Sequence, residues 1–196
     1  SSTLYEPKTT RLVLDNFSGG VFLDVGASTG YYTLLASVLC NAFKVIPFEI
    51  NPVSVETLKK SVIENKLTNI DFSFLGFPLS NGRVKYAPAS KGDLSIGLVK
   101  GSGDDFIQSR SLDELEIEEI DFLKVDIDGI EVEFLKGAKE TLSRCKPKLA
   151  IEVARETKDE AFAILDSLDY TLVNAWGPEG KRDCFFPSSG TRRFKD

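Results

Sequence analysis

The sequence predicts an α/β fold: a mostly parallel sheet, helices on both of its faces, and an antiparallel pair at its C-terminal end. Three observations predict it. Short apolar runs alternate with helix-period segments from residue 20 to residue 168, the pattern of strand–helix–strand units. A glycine-marked turn, Gly26-Ala27-Ser28-Thr29-Gly30, follows the first run. Four acids, Asp24, Glu49, Asp126 and Glu152, fall at the carboxyl ends of four runs, where open α/β sheets bind their ligands.

Each element has its own signal. Residues 20–25 make the first strand, 30–40 the first helix and 44–49 the second strand. Asn51-Pro52 starts the next helix, because Asn caps free N–H groups and Pro fits the first turn. Val55, Leu58 and Val62 give that helix its apolar stripe. Residues 70–75 alternate as a third strand. Residues 81–104, rich in Gly, Ser and Lys with short β-like runs, predict an insertion or hairpin between core strands. Residues 122–126 form the fourth strand, and Val132, Leu135, Ala138 and Leu142 line one following helix. The fifth strand spans 147–153, and a helix over 157–168 turns Ala161, Leu165 and Leu168 inward. Tyr170–Trp176 and Asp183–Phe186 close the sheet as an antiparallel pair around a Gly-Pro-Glu-Gly turn. No repeat or linker interrupts the pattern, so residues 1–196 read as a single domain.

Composition narrows the function. A chain of 196 residues with 42% hydrophobic and 28% charged content suits one globular domain. No apolar stretch approaches the length of a membrane span, and no signal peptide is visible. Cys40, Cys145 and Cys184 lie far apart, which predicts reduced thiols and a cytoplasmic setting. There is no histidine and no paired cysteine, so a zinc site is not expected. The net charge is −6. Overall acidity argues against nucleic acid as the main partner, which needs clustered Lys and Arg. Six acids between Ser111 and Asp121 read as a solvated face. A basic end, with Lys181, Arg182, Arg192, Arg193 and Lys195, could meet an anionic substrate or simply be solvated.

The glycine turn admits three readings. A dinucleotide site wants G-x-G-x-x-G, but Ser28 stands where the middle glycine should admit a pyrophosphate. The same residues spell the G-x-S-x-G nucleophile elbow. That elbow needs a histidine to take the serine proton, and the chain has none. The third reading is S-adenosylmethionine (SAM), which lacks phosphates and needs the tight turn without a phosphate cradle. Asp24 would then hold the cationic methionine end, and Glu49 the ribose hydroxyls. The plain alternative is a strand–turn–helix with glycine at the turn.

The second constellation is Lys124-Val125-Asp126-Ile127-Asp128-Gly129-Ile130-Glu131. It is not an EF-hand, since alignment places Lys124 at the first ligand position and Leu135 at the bidentate one. It is similar to the aspartyl-nucleophile loop of haloacid-dehalogenase-type phosphatases, but Ile130 stands where Thr usually follows. Read structurally, Asp128-Gly129 is a turn and Glu131 favours a helix N-terminus.

Taken together, the Asp24–Thr33 segment, Pro47-Phe48-Glu49-Ile50-Asn51-Pro52, Ser111-Leu112-Asp113-Glu114-Leu115, the block from Ile120 to Glu131, and Leu135-Lys136-Gly137-Ala138 resemble the FkbM-type SAM-dependent methyltransferases. The resemblance covers roughly residues 4–153. The family more often carries Asn at the position of Ser28 and Glu at that of Asp128; both replacements keep polarity. The resemblance implies a Rossmann-like class I methyltransferase fold with a seven-stranded sheet, and O-methylation of a sugar or a glycosylated small molecule. It also implies that Asp24, Gly26, Ala27, Ser28 and Gly30 surround the methionine end of SAM. Glu49 would bind the ribose, Ile50 would pack on the adenine, and the Phe77-Pro78-Leu79-Ser80 segment would flank its edge.

A sugar hydroxyl must lose its proton as it is methylated. Without histidine, Asp126 and Glu152 are the first candidates for the base, with no resident metal expected. The alternative is that the pair holds a divalent ion. Lys124 lies on the strand face of Asp126 and either steers an anionic substrate or neutralises that acid. Two rival functions are a nicotinamide oxidoreductase and a non-catalytic nucleoside-binding regulatory domain. The sequence leaves the acceptor and the oligomeric state open.

Overall fold

The structure, a computed structural model, describes residues 4–86, 98–100, 107–177 and 181–187. In chain order the elements are α1 (Pro7–Asn16), β1 (Val21–Val25), α2 (Tyr31–Leu39), β2 (Lys44–Phe48) and α3 (Pro52–Glu64). Three short strands follow: β3 (Arg83–Tyr86), β4 (Leu98–Lys100) and β5 (Ile107–Gln108). Then come β6 (Phe122–Val125), α4 (Glu131–Lys136), α5 (Lys139–Cys145), β7 (Lys148–Ala154), α6 (Lys158–Ser167), β8 (Asn174–Trp176) and β9 (Lys181–Phe186).

The main sheet runs β2-β1-β6-β7-β9-β8. The first four strands are parallel, and β9 pairs antiparallel with both β7 and β8. β1 is buried along its whole length, as a central parallel strand covered on both faces must be.

Side-chain alternation assigns the two faces. Phe22, Phe122, Ala150 and Phe185 pack under α1 and α2 with Leu12, Val13, Tyr32 and Leu35. The Phe22 and Phe122 rings stack at 5.3 Å with 8° between their planes. Leu23, Val25, Leu123, Val125, Leu149 and Ile151 face the other way. They pack against Val132 and Leu135 of α4, Leu142 of α5 and Leu165 of α6.

Three expectations change. The third strand over residues 70–75 does not form, and the described sheet has six strands rather than seven. Only Ile70 bridges to the sheet, opposite Val45. Asp71 then takes the chain away: its Oδ1 accepts from the Ser73 N–H at 3.0 Å, and its Oδ2 meets Lys44 Nζ at 2.6 Å. Against the effect of burial, Lys44 and Ser73 pull the Asp71 carboxyl down to about 2. The single helix expected through Leu142 is two helices. Asp113 accepts from the Glu140 and Thr141 N–H groups at 3.2 and 2.8 Å and so caps the start of α5. The segment over 81–104 contributes to a separate antiparallel sheet of order β4-β3-β5, while residues 87–97 and 101–104 lie outside the described residues. Finally, α1 was not anticipated. Its buried face carries Thr9 and Thr10 beside Leu12 and Val13, so it shows no plain apolar stripe.

Phe122 lies between Phe17, Phe22 and Phe185, with ring centroids 5.9, 5.3 and 6.5 Å away. Truncation there removes a fully buried ring from the centre of the sheet. Phe122→Ala is expected to lower stability by about 3–5 kcal/mol in urea unfolding. A loss below about 1 kcal/mol would mean that this cluster is not the centre of the core.

Candidate active site

The turn after β1 is held by backbone conformations that favour glycine. Gly26 has φ +81° and Gly30 has φ +97°, in the region L side chains rarely adopt. A Cβ at Gly26 would collide with the backbone carbonyl of Asp126, so the loop after β1 lies directly on the chain leaving β6. Ser28 also has a positive φ, +48°. The Gly26 and Ala27 N–H groups both donate to Phe48 O, at 3.0 and 2.9 Å. The turn is therefore tied to the tip of β2.

Glu49 completes that tie. Its Oε2 accepts from the Ser28 N–H at 2.7 Å, and its Oε1 accepts from the N–H groups of Ile50 and Asn51, both at 2.7 Å. A carboxylate offers about four acceptor positions, so Oε2 keeps capacity for a further donor. Asn51 caps α3 through Oδ1, accepting from the Val53 and Ser54 N–H groups. Ile50 is half-buried and packs with Ile127 against Val84 and Ile130. Leu79 is 4% exposed, and its side chain belongs to the core. Pro78 is buried too, and its carbonyl accepts from the Arg110 N–H at 3.1 Å. Phe77, the first residue of the segment expected to flank the adenine, is exposed, with the Arg110 guanidinium 6.0 Å from its ring.

Beneath the turn lies a buried charge group. Asp24 is fully buried and stands opposite Lys124 in the β1–β6 register. Thr33 Oγ1 donates to Asp24 Oδ2 at 2.7 Å, while Oδ1 is buried without a hydrogen-bond partner. Burial pushes the Asp24 carboxyl up, against the pull of Lys124 and Thr33. Lys124 is 5% exposed, with Nζ 3.0 Å from Asp126 Oδ2 and 4.8 Å from the centre of the Tyr32 ring. Burial alone would lower its pKa, but Asp126 and Asp24 outweigh that and hold it above the usual lysine value.

Asp126 and Glu152 do come together, and Asp128 joins them. One carboxylate oxygen from each of the three lies within 4.8 Å of the other two. Such a trio can hold a hard divalent ion or present a carboxylate as proton acceptor. Two further acids were missed from sequence. Asp183 is the register partner of Glu152 across β7–β9. Burial first, then Glu6 and Asp126, push its carboxyl up to about 6, against Thr9 and Lys124. Glu6, just before α1, accepts from the Tyr32 hydroxyl at 2.8 Å. Glu6 falls in the Leu4-Tyr5-Glu6-Pro7 opening, which resembles the family's but gave it no role, and Asp183 belongs to no motif.

Tyr5, Tyr31 and Tyr32 stand in a row beside these acids, with successive ring centroids 5.1 Å apart. Tyr5 is 58% exposed. The site thus combines a glycine turn, an acid on the second strand, a carboxylate cluster on the fourth and fifth runs, and an aromatic wall.

A family model described as the Methyltransferase FkbM domain matches residues 24–172. The chain belongs to that family. It is 26% identical over 185 residues to the hexuronic acid methyltransferase AglP of Haloferax volcanii, covering 81% of this chain and 76% of that protein. Among solved structures, the FkbM methyltransferase of Methylobacillus flagellatus KT superposes with a TM-score of 0.60 at 24% identity. That match covers 84% of this chain and 42% of the other, so the present chain spans less than half of that relative's length. A putative methyltransferase from Streptococcus mutans, solved with S-adenosylhomocysteine (SAH), superposes at 0.57 with 12% identity over 95% of this chain and 99% of its own. An rRNA methylase from Streptococcus thermophilus superposes at 0.60 with 14% identity over 96% and 98%. These likenesses establish the Rossmann-like methyltransferase fold. With an rRNA methylase among them, the fold gives no ground for excluding nucleic acid. Among the described residues no helix is long and apolar enough to cross a membrane.

Asp183 supplies a test of the site's electrostatics. Below its unfolded value near 3.8 both states are protonated, so removing the charge changes nothing. From there to about 6 only the unfolded state ionises, and stability falls as pH rises. Asp183→Asn should therefore match wild type at pH 3.5 and be more stable above pH 6.5, by about 1 kcal/mol after allowing for solvent screening. Thermal melts across that range check it. An equal Tm difference at both ends would contradict the strained carboxyl.

Proposed function

We propose that this FkbM-family chain transfers the methyl group of SAM to a hydroxyl on a sugar or glycosylated acceptor. The observation that carries the reading is the Glu49 carboxylate bonded across the glycine turn to the Ser28 N–H. It brings the ribose-binding acid and the turn into one wall, and Oε2 keeps room for a hydroxyl donor. A second feature fits SAM as well: Asp24 Oδ1 is a buried acceptor without a donor, the group an ammonium would satisfy. Sugar as acceptor rests on the relative named a hexuronic acid methyltransferase and on the exposed Tyr5 face beside the carboxylates.

SAM, when bound, supplies an electrophilic methyl. The residues of the chain do the rest. Gly26, Ala27, Ser28 and Gly30 shape the wall against the methionine end, while Glu49 holds the ribose and Ile50 covers the base, with Pro78 and Leu79 behind it. Alignment of the acceptor oxygen with the methyl accounts for much of the rate. Asp126 or Glu152 takes the hydroxyl proton, and Lys124, 3.0 Å from Asp126, fixes that carboxylate in place. Acids from β7, β9 and the approach to α1 surround the position, which favours a neutral polyhydroxyl group there over a phosphate backbone.

Calorimetric titration with SAM, SAH and NAD⁺ tests the cofactor. SAM and SAH should bind and NAD⁺ should not, with Glu49→Ala weakening SAH about ten- to a hundredfold, the loss of a hydrogen bond to a charged group. Absence of SAM and SAH binding would end the methyltransferase reading for this chain.

Asp126→Asn and Glu152→Gln test the base. The variant that removes the proton acceptor should lose about 10²–10⁴ in kcat while retaining SAH affinity. Turnover should persist in EDTA. Loss of turnover in EDTA that Mg²⁺ restores would reassign Asp126, Asp128 and Glu152 to a divalent ion.

A further inference from the structure

A cavity lies on the opposite face of the sheet from Lys124 and Glu152. Its volume is about 310 Å³, and Arg155, Lys158 and Arg182 line it above a floor of Val153, Phe162 and Cys184. The floor is the β7–β9 junction, where Val153 pairs with Arg182 and Ile151 with Cys184. The α6 helix, which begins at Lys158, forms one wall.

The charge of this cavity is opposite to that of the chain. The protein carries −6 overall, yet three cations and no acid appear among the described residues lining the cavity. Lys158 and Arg182, like charges beside one hollow, repel each other, and a bound anion relieves that repulsion. The Cys184 thiol on the floor is no competing anion: burial and then Asp183 push it up to about 11, against the pull of Lys158 and Arg182. Lys158 Nζ lies 5.4 Å from the centre of the Phe162 ring, so charge and apolar surface are side by side. Arg182 also belongs to the basic C-terminal stretch of the sequence, which the methyl-transfer site does not use. The volume is at the small end of ligand sites and suits a single ring rather than a dinucleotide.

We propose that this cavity binds a monosaccharide acid, with its carboxylate or phosphate among Arg155, Lys158 and Arg182 and its ring on Val153 and Phe162. Arginine and lysine around one acidic group give charge-assisted hydrogen bonds, the strong kind. The choice of a sugar rests on the acceptor reading above, whereas the anion site stands on the cavity itself. Val153 is the chain neighbour of Glu152 but faces the other way, so the cavity is a second subsite near the carboxyl edge and not part of the methyl-transfer pocket.

The test is calorimetric titration of the full chain, without SAM, by glucuronic acid, glucose 1-phosphate and glucose. At least one acid should bind saturably and glucose should not; which acid binds distinguishes carboxylate from phosphate. Lys158→Gln and Arg182→Gln should each weaken the bound acid about tenfold, the effect of one charge-assisted hydrogen bond. Both side chains lie at the surface, and an unchanged Tm certifies the fold of each variant. No binding of either acid, equal binding of glucose, or binding that survives both substitutions unchanged would overturn the proposal. SAH titrated into the same samples reads the methyltransferase function separately. Loss of SAH binding with acid binding intact would remove that function and leave the anion site standing.

Discussion

Lys124 is a buried cation, and the geometry of the site depends on the two carboxylates that flank it. Taking an ammonium out of water costs several kcal/mol, returned only if its partners are held close. Asp24 is held opposite by the β1–β6 register, and Asp126 is fixed where β6 ends, with Nζ at 3.0 Å. A one-residue slip of β6 would turn Lys124 toward the apolar helices of the other face. The buried charge group therefore selects the register, and the register puts the turn after β1 against the Asp126 carbonyl. Both chemical motifs arrive at one edge for that reason.

The sheet separates two kinds of chemistry. On the face under α1 and α2, the positions beyond the stacked Phe22 and Phe122 carry Asp24, Lys124, Glu152 and Asp183. Elements from the N-terminus and the C-terminal strands close over them: Glu6 bonds to Tyr32, and Trp176 Nε1 donates to Thr9 Oγ1 at 3.2 Å. On the other face the same strands supply an apolar core, and near their ends a cationic cavity. That Glu152 and Asp183 face one side while Val153 and Arg182 face the other follows from period-2 alternation in β7 and β9. Neighbours such as Glu152 and Val153 thereby serve different sites.

Much of this was legible locally. The runs that became β1, β2, β6 and β7 are apolar on both faces, and Asn51-Pro52 caps α3 as its residue types require. The strand-tip rule placed Asp126 and Glu152 together, and they are together. Other features were settled by competition at a distance. Residues 70–75 alternate as a strand should, but the Asp71 side chain holds Ser73 and Lys44 and the chain leaves the sheet after Ile70. One helix became two because Asp113, far upstream, caps the second. The α1 helix hides from periodicity because Thr9 and Thr10 occupy its buried face among tyrosines and a tryptophan.

The sequence by itself determined the α/β class, the glycine turn, the acids at the strand tips and the family resemblance, because period, caps and turn residues act over a few neighbouring positions. Only the tertiary structure decided which of those acids share space. It added Asp128, Asp183 and Glu6 to the site, withdrew the Leu79 side chain into the core and gathered Arg155, Lys158 and Arg182 around one cavity. Those outcomes depend on strand register and on helix placement across more than a hundred residues, and no local pattern encodes either.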